Sequence, residues 1–145
     1  VIELTTYFNN SDDKRKFIVS RKWKLVFEGQ LKKYNKIASS NSGVCSDKTT
    51  ITILIENNIV KDIKHKSESC VITTSCTDIL CEKIIGKKLN EAIYFMNNFK
   101  SFIKRENHNK ELLEELIVFE DIVNKKTRDY CLELPANVIL NALQD

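Results

Sequence analysis

The sequence predicts an α+β fold in which a small antiparallel β-sheet is covered on one face by several helices. Strand-like, β-branched segments lie in the first half of the chain, and segments with helical spacing of apolar residues follow them. The chain has 145 residues, of which 42% are hydrophobic and 30% charged, a globular composition at the size of one domain. We therefore expect a single domain over residues 1–145.

The N-terminal part is basic. Residues 13–36 place apolar side chains at steps of three and four, which predicts an amphipathic helix with a Lys/Arg face. Such a face is suited to nucleic acid, acidic lipid or an acidic partner, or is simply a solvated outer face. Residues 37–43 are small and polar, which indicates a loop or an edge strand.

A β-hairpin is predicted next. Residues 49–56 are rich in β-branched side chains, residues 59–66 alternate apolar and polar side chains, and the turn-forming pair Asn57-Asn58 joins them. His65 lies among lysines in the second strand, and His108 lies in a polar turn. Both histidines are therefore expected to face solvent.

Four helices are expected after the hairpin, over residues 71–85, 89–104, 111–123 and 135–143. Gly86 follows the first of them as a plausible C-cap. Pro135 is suited to the first position of the last helix, because proline lacks the N–H that this position leaves unpaired.

Composition excludes several classes of protein. Three glycines and one proline exclude collagen-like and flexible linker sequences, and a net charge of +3 does not imply nucleic acid. No run approaches the ~18 apolar residues of a membrane span. Early charges such as Glu3 and Asp12 argue against a signal peptide. Five cysteines, an odd number, fit a disulfide-stapled secreted domain poorly and favour metal or sulfur chemistry, or plain core packing.

Three of the cysteines fall at the ends of predicted elements. Cys45 precedes the hairpin, Cys70 follows it, and Cys131 comes just before the last predicted helix, so their side chains can point at a common centre. Asp47, two residues after Cys45, adds a carboxylate. A Cys3Asp set supplies four ligands of the kind that tetrahedral zinc or cluster iron accepts, and Asp47 is the ligand expected to leave most easily.

The other two cysteines are expected to be core or surface thiols. Cys76 and Cys81 lie inside the predicted helix, and Cys81 is about three turns, ~16 Å, past Cys70. For the site itself, helix dipoles are expected to lower the thiol pKa of Cys70 and Cys131. Lys48 and Arg128 add positive charge nearby.

Short motifs follow one another in a fixed order along this part of the chain. They are Cys45-Ser46-Asp47 before the hairpin, Ser69-Cys70 at the start of the next helix, Gly86-Lys87 at its end, and Arg128 three residues before Cys131. In this order they resemble the NifU/IscU-like iron–sulfur cluster assembly scaffold family, closest to its SufU branch, over residues 41–143. Arg128 and the long insert before Cys131 are SufU-like. Ser46 and Ser69 replace family glycines.

The resemblance implies an iron–sulfur cluster assembly scaffold, or a sulfur acceptor that receives persulfide sulfur from a cysteine desulfurase. It implies Cys45, Asp47, Cys70 and Cys131 as ligands of zinc or of an iron–sulfur cluster, with zinc slightly favoured. Cys45 is the first choice of sulfur acceptor and Cys131 the second, and Arg128 would stabilise thiolate charge or help ligand exchange. The resemblance leaves open whether the protein is a zinc-dependent sulfurtransferase or a non-enzymatic scaffold.

The same resemblance implies a cytoplasmic protein, monomeric or weakly homo-oligomeric. Its partners would be the desulfurase and recipient iron–sulfur proteins, and neither DNA nor a membrane is expected. Two other functions stay open. One is a non-catalytic, zinc-stabilised interaction module. The other is a metal-free nucleic-acid or membrane-surface binder that uses the basic helix over residues 14–36.

Overall fold

The computed structural model describes residues 8–41, 47–125 and 128–145. Within these ranges the strands are β1 (Lys36–Asn41), β2 (Lys48–Glu56) and β3 (Ile59–Glu68). The helices are α1 (Ser11–Trp23), α2 (Val71–Ile84), α3 (Leu89–Ile103), α4 (Glu120–Lys125) and α5 (Asp129–Gln144), with a 3-10 segment at Glu111–Phe119. This is the α+β fold that the sequence predicts.

The sheet is antiparallel in the order β1-β2-β3. Asn57 and Asn58 join β2 to β3 with φ angles of +53° and +63°. Two consecutive residues with positive φ form the turn whose twist matches the twist of a hairpin, and asparagine tolerates this conformation well. The predicted hairpin is therefore confirmed, and β1 is the edge strand that one interpretation of residues 37–43 anticipated.

Helices cover one face of the sheet. α5 packs on β1 and β2, and α2 and α3 contact β3. Apolar side chains of the sheet and of these helices form one core, in which the largest fully buried members include Ile51, Ile53, Ile63, Ile79, Leu80, Met96 and Phe99. No helix in the described ranges is both long and apolar enough to cross a membrane.

The helix predicted over residues 13–36 is only partly correct. α1 ends at Trp23, and residues 24–35 form neither a helix nor a strand of the sheet. This irregular segment lies against the sheet, where the buried Leu31 donates its N–H to Thr52 Oγ1 at 3.1 Å. The segment therefore packs as part of the fold instead of continuing a basic helical face.

A buried carboxylate explains why the chain leaves the helical path. Asp78 of α2 accepts the N–H groups of Val26 and Phe27 at 3.0 and 2.9 Å and the Nε–H of Arg21 at 2.6 Å. These donors are satisfied outside a helix. The Nε2 atom of His65 lies 2.8 Å from Asp78, and both side chains are fully buried. The expectation that His65 faces solvent is therefore wrong.

The helix predicted over residues 111–123 is divided in two. A 3-10 segment at Glu111–Phe119 precedes α4, and its regular dihedral angles are interrupted at Glu114, with φ 48° and ψ −123°. Lys83 of α2 holds this region through ion pairs of 3.5 Å to Glu114 and 2.6 Å to Glu115. Residues 116–119 are apolar and all buried here. One face of a regular α-helix buries residues three and four apart and does not bury such a consecutive run.

Pro135 does not open the last helix. α5 begins at Asp129 and contains Pro135. Because proline has no N–H, the carbonyl of Cys131, four residues earlier, lacks its usual helical partner. Thr73 of α2 supplies the missing donor, with its Oγ1 2.9 Å from that carbonyl oxygen. A contact between two helices thus replaces a hydrogen bond within one.

Asp78 gives a pH-dependent test of the packing. Burial alone would raise its pKa, but the hydrogen bonds from His65, the two backbone amides and Arg21 outweigh burial and lower the pKa from 3.8 to about 2. Because the pKa is lower in the folded state, the ionised carboxylate stabilises the protein at pH values above the unfolded-state pKa. This stabilisation is lost as the pH falls toward 2. We expect Asp78→Asn to cost about 2 kcal/mol at neutral pH.

Urea unfolding measured from pH 7 down to pH 2 checks this expectation, because the difference between wild type and D78N should shrink as the pH falls. Glu82→Gln is the matched control. Glu82 pairs with Arg21 at 2.9 Å, but its side chain is 41% exposed, so its loss should cost less than about 1 kcal/mol. Equal effects of the two substitutions would contradict the central place given to Asp78.

Candidate metal and sulfur site

Cys70 is the N-cap residue of α2. Its backbone is extended, and its Sγ accepts the N–H of Thr73 at 3.4 Å. The N-terminus of a helix favours negative charge, so this position suits a thiolate. Ser69, just before it, does not have a positive φ. Serine in place of the family glycine therefore causes no backbone strain at this position.

The hairpin register brings Asp47 beside Cys70. Lys48 pairs with Glu68, so the residues that flank these two strand ends lie together. Asp47 is 5% exposed, and its Oδ1 accepts the N–H of Cys70 at 3.1 Å. Its Oδ2 lies 3.3 Å from Thr73 Oγ1. The Cys70 N–H therefore holds one carboxylate oxygen, and the Thr73 hydroxyl lies within reach of the other.

Cys131 approaches from the other side, in the first turn of α5. Its N–H donates to the carbonyl of Arg128 at 3.0 Å, and its side chain is buried. The prediction that Cys131 precedes the last helix is wrong, because α5 begins two residues earlier, at Asp129. The prediction that Cys131 meets Cys70 is confirmed, since their Sγ atoms are 3.7 Å apart.

Three of the four predicted ligands converge. The ligand atoms of Asp47, Cys70 and Cys131 all lie within 4.8 Å of one another. Cys45, the fourth predicted ligand, lies outside the described residues. Sulfur and carboxylate oxygen are donors that zinc accepts, and cysteine sulfur is the usual ligand of cluster iron. By donor chemistry the three residues fit such a metal, with one tetrahedral position left to fill.

The two cysteines respond in opposite ways to their contact. A hydrogen bond from the Cys131 thiol, opposed by burial and helped by the hydroxyl and amide of Thr73, lowers the pKa of Cys70 to about 5. The same pairing, together with burial, raises the pKa of Cys131. The pKa of Cys70 is therefore lowered as predicted, but by these hydrogen bonds. The lowering predicted for Cys131 is wrong, because adjacent thiolates repel and one negative charge suffices for the pair.

Arg128 is exposed, and its carbonyl accepts the N–H of Cys131. It lines a groove of about 570 Å³ together with Val71, the residue after Cys70, and with Lys14 and Arg15 of α1. The predicted positive charge is thus on the surface beside the start of α2. Lys48 is also exposed.

Cys76 and Cys81 are core thiols. Both are fully buried in α2 among apolar side chains, and burial raises the pKa of each. The prediction that they lie apart from the ligand set is consistent with this placement.

Thr73 is a site residue that the sequence analysis does not identify. It is fully buried, and its Oγ1 lies 3.3 Å from Cys70 Sγ, 3.3 Å from Asp47 Oδ2 and 2.9 Å from the Cys131 carbonyl. A sequence signal exists: a side chain three residues after an N-cap reaches back toward that cap.

Comparison with known proteins fits this geometry. Residues 26–142 match the NifU-like N-terminal domain family. The chain belongs to that family. The match includes Asp47, Cys70, Thr73 and Cys131, and it confirms the NifU/IscU-like resemblance drawn from the cysteine motifs.

Individual relatives include both IscU and SufU proteins. The iron–sulfur cluster assembly scaffold protein IscU of Thermotoga maritima is 26% identical over 118 residues, 81% of this chain and 83% of that protein. The zinc-dependent sulfurtransferase SufU of Bacillus subtilis is 24% identical over 68 residues, 47% of this chain and 46% of SufU. A crystal structure described as a SUF-system iron–sulfur cluster assembly scaffold protein, from Fervidobacterium islandicum AW-1, has a TM-score of 0.83 and 28% identity, covering 88% of this chain and 94% of that chain.

We expect the protein to bind one zinc ion, and both Cys70→Ser and Cys131→Ser to lose most of this zinc because each removes a sulfur donor. Elemental analysis after dialysis, together with native mass spectrometry, gives the stoichiometry. Cys76→Ala is the matched control, since it removes a buried thiol outside the ligand cluster and should keep the zinc. Stoichiometric zinc in both serine variants would contradict the assigned ligands.

Proposed function

We propose that this protein is a sulfur-accepting scaffold for iron–sulfur cluster assembly, which receives persulfide sulfur from a cysteine desulfurase at a Cys3Asp site. The observation that supports this most is the convergence of Asp47, Cys70 and Cys131 in a chain of the NifU-like N-terminal domain family. In this proposal the scaffold domain extends over residues 1–145, and Cys45 is the fourth ligand.

The described ligands come from different elements of the fold. Cys70 and Cys131 lie at the starts of two packed helices, whereas Asp47 directly precedes β2. A carboxylate is also a harder ligand than a thiolate and leaves a soft metal more readily. Asp47 is therefore the ligand that yields its position to incoming sulfur.

Sulfur transfer in this proposal is a thiol exchange. A thiolate of the scaffold attacks the outer sulfur of the persulfide on the desulfurase, a new S–S bond forms, and the desulfurase cysteine leaves as a thiolate. Cys45 is the first candidate for this attack and Cys131 the second. Arg128, exposed beside the start of α2, supplies positive charge that stabilises thiolates at the rim.

Asp47, Cys70 and Cys131, with Cys45, would hold zinc or an iron–sulfur cluster. Zinc, when bound, keeps thiolates deprotonated at neutral pH and provides a position for an exchangeable ligand. The donor set accepts either occupant, and a SufU relative that is a zinc-dependent sulfurtransferase favours zinc as the resting form. A cluster would then be cargo, passed on to recipient iron–sulfur proteins in the cytoplasm.

Incubation with a pyridoxal-phosphate cysteine desulfurase and L-cysteine tests the proposal. We expect intact-protein mass spectrometry to show one added sulfur atom per chain, located by peptide mapping on Cys45 or Cys131 and removed by a thiol reductant. Protein purified without oxygen and analysed for zinc and iron, beside a Cys70→Ala variant, identifies the resting occupant.

Each outcome decides between functions. Zinc-loaded protein that accepts no sulfur would contradict the proposal and favour a zinc-stabilised interaction module. Protein that holds neither metal nor sulfur and binds nucleic acid or acidic vesicles with a steep salt dependence would favour the basic-surface alternative. Sulfur found on Cys76 or Cys81 would contradict the assigned site.

A further inference from the structure

We infer that Thr73 is the positioning residue of this site, whose hydroxyl ties the two cysteine-bearing helices and the Asp47 carboxylate into one preorganised ligand set. The inference rests on the proposed site and adds a residue and a physical role to it. Thr73 would not coordinate a metal. It acts through the three ligands that it contacts.

The hydroxyl reaches all three described ligand residues at once. Oγ1 lies 3.3 Å from Cys70 Sγ, 3.3 Å from Asp47 Oδ2 and 2.9 Å from the carbonyl oxygen of Cys131. These groups belong to the start of α2, the residue before β2 and the first turn of α5. No solvent reaches the Thr73 side chain, so no water competes for these contacts.

Pro135 explains why the carbonyl of Cys131 needs this donor. In a regular helix that carbonyl would accept the N–H of residue 135, but proline has none. A buried carbonyl without a donor is costly, so the Thr73 hydroxyl satisfies it. The pairing of a proline on α5 with a threonine on α2 therefore fixes the first turn of α5, and with it Cys131, against the start of α2.

The single hydroxyl proton has several acceptors within reach. The carbonyl at 2.9 Å is the shortest contact, and the carboxylate and the Cys70 sulfur are the other two. A hydroxyl rotates without moving the backbone. The proton can therefore turn from the Cys131 carbonyl to Asp47 Oδ2 when that carboxylate is not held by a metal, beside the Cys70 N–H that holds Oδ1. Groups that hold metal ligands in this way typically contribute 10–100-fold to metal affinity.

The substitution Thr73→Val tests the inference, because it removes the hydroxyl at nearly constant volume. It keeps the backbone N–H that donates to Cys70 Sγ. The matched control is Thr77→Val, one turn further along α2. Thr77 is equally buried, and its hydroxyl donates to the carbonyl of Thr73 and not to a ligand residue. Thr73→Ser restores the hydroxyl and serves as the rescue variant.

Three measurements on each purified variant give the readout. They are zinc affinity by competition with a chelator, the thiolate-to-cobalt charge-transfer band after Co²⁺ loading, and the free energy of unfolding of the metal-free protein. We expect T73V to bind zinc about 10–100-fold more weakly with an altered cobalt band. T77V and T73S should stay close to wild type in both metal readouts, even where T77V lowers the unfolding free energy.

A second variant covers the case in which T73V does not fold. The double variant T73V/P135A gives the Cys131 carbonyl a helical N–H from residue 135. The hydrogen bond within α5 is then restored, while the hydrogen bond from α2 stays absent. Its zinc affinity should therefore remain low. Zinc affinity and cobalt band in T73V equal to those of T77V would overturn the role of Thr73. Wild-type protein that binds no zinc would overturn the proposed site itself, a different result.

Discussion

The contact between the starts of α2 and α5 is the constraint on which the site depends. Each start carries a cysteine, and the two Sγ atoms lie 3.7 Å apart. Two sulfurs at this distance in a largely buried place are stable if they share one negative charge or bind a cation. The hairpin register then adds Asp47 at the same point, because β2 begins where β3 ends.

Much of the remaining structure keeps α2 in place for this contact. Asp78, two turns along α2 from Cys70, binds Arg21 of α1 and His65 of β3. It also holds the backbone of the irregular segment after α1. A buried carboxylate with this many donors is costly to remove, since each donor would lose its partner. The position of α2 is therefore determined from several directions, and the site is built at its N-terminal end.

The sequence predicts the features that depend on local signals. Asn57-Asn58 identifies the hairpin because few other residues tolerate its turn, and cysteines at element ends identify the site. Features that depend on distant partners are not predictable in the same way. The path after Trp23 depends on Asp78, more than fifty residues away in the chain. Continuation of α5 through Pro135 depends on a threonine from another helix.

His65 and Thr73 illustrate how much periodicity reveals. His65 follows Ile63 at the two-residue period of a strand, so it shares the buried face of β3, whereas neighbouring lysines suggest an exposed strand. The buried Asp78 of α2, 2.8 Å from Nε2, gives the imidazole a partner in the core. Thr73 has the pattern of an ordinary helical residue in the sequence. Its contact with Cys70 can be predicted only once Cys70 is known to be the N-cap of α2. In both cases the deciding group lies on a different element.

X-ray absorption spectroscopy at the zinc edge tests the central claim most directly, because it reports the atoms bound to the metal without reference to activity. The account predicts mainly sulfur neighbours at about 2.3 Å, with one oxygen-type neighbour at about 2.0–2.2 Å. Cys131→Ser should retain little zinc, and the zinc that it retains should have one sulfur neighbour fewer. A zinc shell made only of oxygen and nitrogen, unchanged in the Cys70 and Cys131 variants, would contradict the claim that these helix starts hold the metal.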